Sequence, residues 1–357
     1  MVPAGAPGRA CRINSLPSHV LTRAIYFLDA HQLVQTCVLS RRWRHLWRSF
    51  DGMAGTWVER NVLFKKFFNR FLMLRNPTPL DEFNLCEKSM DRKWDAESED
   101  ANLWIGHALQ CNARSVNVSV SKEEGAKLHL DPVVFTSECF PTSLGLTWVL
   151  LLTGFFENLQ MGCTLLERLK LHDCSIYDAE ISSQSLKLFT IEAITPLLTN
   201  MGSLETATVS IGTSFYDTPL GDICQFLRGL SDVTHLDLRY RGPKMEKKIH
   251  WCPKFNNLTI LTLGDWCLCA NFYALIVFLH NSPNLMKLIL KIRKNPDTHE
   301  KFIGELEERY FSCEHLKVVE IFCPEDWEDD PMCNDLEKIL VGNGISLKSR
   351  MVIKVLI

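Results

Sequence analysis

Apolar residues recur through most of the chain in the spacing Leu-x-x-Leu-x-Leu. Clear copies are Leu80-x-x-Phe83-x-Leu85, Leu166-x-x-Leu169-x-Leu171, Leu186-x-x-Phe189-x-Ile191 and Val233-x-x-Leu236-x-Leu238. Three more are Leu258-x-x-Leu261-x-Leu263, Leu285-x-x-Leu288-x-Leu290 and Leu316-x-x-Val319-x-Ile321, with weaker copies near Ala113, Leu144 and Leu204. The alternation in each copy predicts a strand: Leu169 and Leu171 point inward, while Lys170 and His172 point out. One copy cannot cover its own apolar side, so neighbours must stack into a curved, mostly parallel sheet with a long concave surface. The spacing, roughly 18 to 33 residues, is irregular beside that of regular arrays. The polar segment Arg239–Lys248 reads as an insertion, and Ser98-Glu-Asp100 as the acidic start of a convex-side helix through Leu103, Ile105 and Leu109.

The predicted concave positions are Asn84, Asn117, Lys170, His172, Thr190, Thr208, Asp237, Arg239, Thr262, Ile289, Lys291 and Glu320. This mixture suits recognition of another protein. Lys170, His172, Asp237, Arg239 and Lys291 are the candidate target-binding side chains.

Ahead of the repeats the period changes to that of helices. Leu16-Pro17 opens a helix where proline costs least. Val20, Leu21, Ala24, Ile25 and Leu28 follow at helical spacing, then a turn at Asp29-Ala-His31 and a second helix with Leu33, Val34, Cys37, Val38 and Leu39. A third segment places Trp43, Leu46, Trp47 and Phe50 on one side, with Arg41, Arg44, His45 and Arg48 mostly on the other. A set of about forty residues this apolar cannot bury both sides of three short helices, so the surplus must meet a partner or the chain's own body. In the competing reading Trp43 and Trp47 are core aromatics of this head. A stripe of Phe64, Phe67, Phe68, Phe71 and Leu72, ended by Asn76-Pro77, suits a helical linker that seals the start of the array.

Charge and composition narrow the function. The chain has 357 residues, 46% hydrophobic and 23% charged, which suits a folded head plus an elongated body. The net charge of -3 argues against nucleic acid as partner, and the apolar face of the Trp43 helix argues against a DNA-reading role for Arg41, Arg42, Arg44 and Arg48. The N-terminus lacks the apolar stretch of a signal peptide, and the run Leu144–Phe156 is too short to cross a bilayer. The expected setting is therefore cytoplasmic, nuclear or both, with the 14 cysteines reduced. Cys267-Leu-Cys269 with His250, Cys252 and His280 invites a zinc site, but the spacing is wrong for a ribbon. The acidic Glu325–Asp330 segment lacks calcium-loop spacing. No phosphate loop, nucleophile elbow or two-histidine zinc helix occurs, so neither metal, cofactor nor catalysis is expected.

The head's wording is specific. Leu16-Pro17 and Val38-Leu-Ser-Arg-Arg-Trp-Arg-His-Leu-Trp47 resemble the F-box, and the chain as a whole resembles plant F-box proteins with leucine-rich repeats. His172-Asp-Cys174 places cysteine where such repeats use it, and Cys313–Val355 resembles the FBD domain, with a helix at Leu336, Ile339 and Leu340 and a final strand at Met351–Leu356. The fold so implied is α/β: a three-helix F-box (11–50), a helical linker or cap (51–79), an irregular leucine-rich-repeat solenoid (80–312) and a C-terminal α/β cap (313–357). In that family the F-box binds the Skp adaptor and, through it, a cullin scaffold. By carry-over the adaptor contacts are Leu16, Pro17, Val20, Leu21, Val38, Leu39, Trp43 and Leu46. Cys11, Ser18, His19 and Asp29 depart from the family's usual acidic residues and proline. The resemblance implies a non-catalytic substrate receptor of a Skp–cullin–F-box ubiquitin ligase. A non-degradative scaffold and a small-molecule-sensing receptor are the alternatives.

Overall fold

The computed structural model describes residues 16–17, 19–21, 69, 79–87, 95–120, 128–136, 140–192, 194–212, 223–240, 252–292, 314–323, 331–343, 345 and 351–355. The chain divides into two compact units, Met1–Thr78 and Pro79–Ile357.

In the first unit, His19–Leu21 are helical behind Pro17, whose carbonyl accepts hydrogen bonds from the Val20 and Leu21 amides at 3.1 and 3.2 Å. A proline here fixes φ and donates nothing the first turn would need. The remaining apolar helix positions read from the sequence in this unit, Phe64, Phe67, Phe68, Phe71 and Leu72 included, lie outside the described residues.

The second unit is built on one parallel sheet of eleven strands. Its members are β1 (Glu82–Glu87), β2 (Ser115–Val120), β4 (Ser143–Thr147), β6 (Arg168–His172), β9 (Leu188–Glu192), β11 (Thr206–Ile211), β12 (His235–Tyr240), β13 (Ile260–Gly264), β14 (Lys287–Lys291), β15 (Val318–Cys323) and β16 (Met351–Val355). They are hydrogen-bonded in the order in which the chain makes them. Every expected strand, the three weak copies included, takes its place. The cause is strict alternation: β6 runs exposed, buried, exposed, buried, exposed. In register, Val116, Leu144, Leu169, Phe189, Ala207, Leu236, Leu261, Leu288 and Val319 form one buried row across the sheet. A shift of one residue would turn such a row to solvent, so the apolar period pins the register.

The return segments cover the buried face. Short parallel strands β3 (Leu128–Leu130), β5 (Val149–Leu151) and β7 (Ser175–Ile176) form a second sheet, and β8 (Glu180–Ser182) pairs with β10 (Leu197–Thr199). Helices α1 (Asp95–Gln110), α2 (Phe155–Gly162), α3 (Ile223–Arg228), α4 (Cys269–His280) and α5 (Pro331–Gly342) supply the rest. Each contributes an apolar side to one continuous core, for example Ile105 and Leu109 from α1 and Leu275, Phe278 and Leu279 from α4.

Polar groups close what packing leaves open. Ser98 and Asn102, one turn apart on α1, serve the edge of β3. Ser98 Oγ accepts from the His129 amide at 3.1 Å, Asn102 Nδ2 donates to the His129 carbonyl at 3.0 Å, and Asn102 Oδ1 accepts from the Asp131 amide at 3.1 Å. Side chains thereby occupy an edge that would otherwise invite another strand. Asp178 reaches back to the start of α2, accepting from the Gly154 amide at 2.7 Å and the Phe156 amide at 3.1 Å. It satisfies orphan donors of that helix from one repeat further on.

Three readings need correction. Helix α1 begins at Asp95, so Ser98 lies inside it and bonds to β3 rather than capping the helix. Arg239 and Tyr240 belong to β12 and not to an insertion; the rest of that segment, 241–248, lies outside the described residues. Thr262 is only 6% exposed despite its place on the open face. The expected strand at Met351–Leu356 is β16, one residue shorter, and the helix through Leu336, Ile339 and Leu340 is α5. The acidic Glu325–Asp330 segment lies outside the described residues.

Candidate functional site

Two surfaces carry the candidate residues. On the first unit, Leu16 and Val20 are 40% and 38% exposed while Leu21 is 1% exposed. Pro17 is exposed too. The helical turn therefore buries Leu21 and leaves an apolar side chain before and beside it in water, an arrangement a monomer tolerates only in small patches. Val38, Leu39, Trp43 and Leu46 lie outside the described residues.

On the second unit the side of the sheet away from the core is open. Its middle row runs Asn84, Asn117, Gly145, Lys170, Thr190, Thr208, Asp237, Thr262, Ile289, Glu320 and Val352 in register. The chemistry changes along that row. Asn117 Nδ2 donates to Asn84 Oδ1 at 2.9 Å, so the first strands present linked amides. Strand β6 then presents three basic side chains, Arg168, Lys170 and His172, all exposed. Lys170 has no anionic partner among the described residues, whereas His172 Nδ1 lies 2.5 Å from Glu192. Strands β9 and β11 follow with the hydroxyls of Thr190, Thr206, Thr208 and Ser210.

Next comes the most structured part of the face. Asp237 Oδ1 accepts from Arg239 Nε at 3.1 Å, and its Oδ2 accepts from Arg239 Nη2 at 3.0 Å and from Lys291 Nζ at 2.9 Å. Lys291 is two strands away on β14 and crosses β13 to get there, opposite Gly264 in the register. A Cβ at Gly264 would come within 3.1 Å of the Trp266 ring. Thr262 is the register neighbour of Asp237 on one side and Ile289 on the other. Burial pushes the Asp237 carboxyl up, but the hydrogen bonds from Arg239 and Lys291 outweigh it and hold the group below the usual carboxylate range. Arg239 is in turn held more firmly protonated by Asp237. Two cations share the Asp237 carboxylate, and Glu192 adds a second negative charge facing Arg239. One strand on, Lys287 Nζ pairs with Glu320 at 3.0 Å.

Three of the five candidate target-binding residues, Asp237, Arg239 and Lys291, are thus one bonded cluster. Lys170 and His172 share β6, three strands from β12. The half-buried Ile260, Ile289, Val318 and Phe322 complete the open face on β13 to β15. Of these only Ile289 was expected there; the rest were legible from the same strand alternation.

Cysteine offers little chemistry here. Cys111, Cys163, Cys174, Cys224, Cys252, Cys267, Cys323 and Cys333 are all buried, and none is in a disulfide. Burial, with a smaller contribution from neighbouring Cys224, pushes the Cys252 thiol up to about 12, far from a reactive thiolate. No helix among the described residues is long and apolar enough to cross a membrane.

Comparison with known proteins adds what geometry alone does not carry. Residues 13–52 match the F-box domain. Two Arabidopsis thaliana proteins named F-box/FBD/LRR-repeat proteins are similar over most of both chains. One is 25% identical, covering 81% of this chain and 81% of its own; the other is 26% identical, covering 90% of this chain and 86% of its own. An Arabidopsis FBD-associated F-box protein is 24% identical over 86% of this chain and 82% of its own. The chain is therefore an F-box-bearing homologue of plant F-box/FBD/LRR-repeat proteins, its F-box at residues 13–52.

Proposed function

We propose that this chain is the substrate-recognition subunit of a Skp–cullin–F-box ubiquitin ligase. The head docks on the Skp adaptor, and the open face of the eleven-stranded sheet, read as the concave side of a leucine-rich-repeat solenoid, holds a target protein. The observation that carries this is the F-box match over residues 13–52, with Leu16 and Val20 left exposed at its start. Exposed apolar side chains beside a buried Leu21 are what a helix keeps when part of its apolar side is reserved for another protein.

The chain's contribution is non-catalytic. Tethering a target raises its effective concentration near the ubiquitin-charged enzyme, and transfer accelerates with no reacting group supplied by the receptor. The partners are the Skp adaptor, a cullin scaffold through it, and a target protein, with the nucleus or cytoplasm as the site of action.

The test is reconstitution. Purified chain, adaptor, cullin complex and charged enzyme are combined with proteins captured by a chain lacking residues 11–50. Transfer to a captured protein that needs both the head and an intact open face supports the proposal. Adaptor binding without transfer to any captured protein would instead support a non-degradative scaffold.

A further inference from the structure

The open face of the sheet is chemically graded, and the gradient names a class of target. This inference rests on the proposed function, which makes that face the target site. At β6, Arg168, Lys170 and His172 stand side by side, and of the three only His172 is ion-paired among the described residues. Lys170 is flanked in the register by Gly145 and Thr190, neither of which can neutralise it. The hydroxyls of β9 and β11 follow. Asp237 then serves both Arg239 and Lys291, and Glu192 also faces Arg239, so this part of the face is close to charge-balanced and the unpaired cations among the described residues of the face are those of β6. On β13 to β15 the half-buried Ile260, Ile289, Val318 and Phe322 lie among Lys287, Lys291 and Glu320, whose charges are paired within the face.

Uncompensated cations on an open surface attract anionic partners and repel basic ones. Half-buried aliphatic and aromatic side chains at the other end supply the apolar anchor that dominates most interfaces. From Lys170 on β6 to Ile289 on β14 is five strand-to-strand steps. At about 4.8 Å per step that is roughly 24 Å, the reach of about seven residues of extended chain.

We propose that the open face recognises an extended segment of a target protein carrying acidic side chains near β6 and an apolar side chain about seven residues away near β14. Lys170 sets the charge preference, and Ile289 lies in the apolar seat.

The experiment selects a random dodecapeptide library displayed on phage against the full-length chain bound to its adaptor. The expected enrichment is of peptides with Asp or Glu separated by six to eight residues from Leu, Ile, Phe or Val. The synthesised winner should lose at least tenfold in affinity for Lys170→Glu and for Ile289→Ser. Against Lys170→Glu the same library should enrich basic residues at the acidic position, a swap that loss of folding cannot produce. Enrichment of basic peptides, or of peptides without this spacing, that still depends on Lys170 or Ile289 would overturn the acidic–apolar rule and leave the target-binding reading standing. No enrichment, or enrichment indifferent to both variants, would overturn the rule as well. The reconstituted transfer assay repeated with Lys170→Glu then reports separately whether the face is used at all.

Discussion

Lys291 Nζ lies 2.9 Å from Asp237 Oδ2, joining residues 54 apart in sequence across an intervening strand. The pair ties β12 to β14 over Gly264, and Arg239 completes the cluster. These groups are partly solvated, so the pairing contributes modestly, about 1 kcal/mol. Asp237→Asn should therefore destabilise the chain by about 1 kcal/mol, read as a shift in urea midpoint. The Asp237 carboxyl is held below its ordinary value, so its contribution is present above the unfolded pKa and lost as pH falls through the folded one. The gap between wild type and Asp237→Asn should thus be full at neutral pH and close below about pH 4.

Asp178 secures the start of α2 from the following repeat through the Gly154 and Phe156 amides. Asp178→Ala should cost about 1 to 2 kcal/mol, as removal of other helix-capping carboxylates does. Hydrogen exchange should quicken first in Phe155–Gly162 and leave β14 and β15 unchanged.

Gly229 packs where a Cβ would lie 2.7 Å from the Leu198 carbonyl oxygen, at the meeting of α3 and β10. Backbone cannot step aside as a flexible side chain can. Gly229→Ala should destabilise by about 1 to 3 kcal/mol in thermal unfolding, the usual range for overpacking.

Ser282 points its hydroxyl into a fully buried position without a hydrogen-bond partner among the described residues. An unpaired buried hydroxyl costs stability that an apolar replacement recovers. Ser282→Ala should leave stability unchanged or raise it by about 1 kcal/mol, measured by the same thermal unfolding.

Much of this fold is legible in the sequence because strand alternation is a local signal. Leu169 and Leu171 turn inward and Lys170 and His172 outward for the same steric reason, and nothing distant is needed to see it. The Asp237–Lys291 pair is different. It requires the register between β12, β13 and β14, which arises only when the repeats stack. The burial of Thr262 could not be read from its own strand, whose alternation places it on the open face. The short strands β3, β5 and β7 escape a periodicity reading because two or three residues hold too little alternation to stand out. Ser98 misleads for a related reason: a serine ahead of an apolar run suits a helix cap, yet its hydroxyl is claimed by the His129 amide 31 residues later.

Adaptor binding is the most direct test of the account, measured by calorimetry with purified full-length chain and a plant Skp adaptor. Wild type should bind, and Trp43→Ala should bind about thirtyfold more weakly, a loss of about 2 kcal/mol. Leu16→Asp, which alters a side chain already exposed in the free chain, should weaken binding with unfolding unchanged. Wild type that ignores every adaptor paralogue, or Leu16→Asp and Trp43→Ala variants that both bind as wild type does, would contradict it.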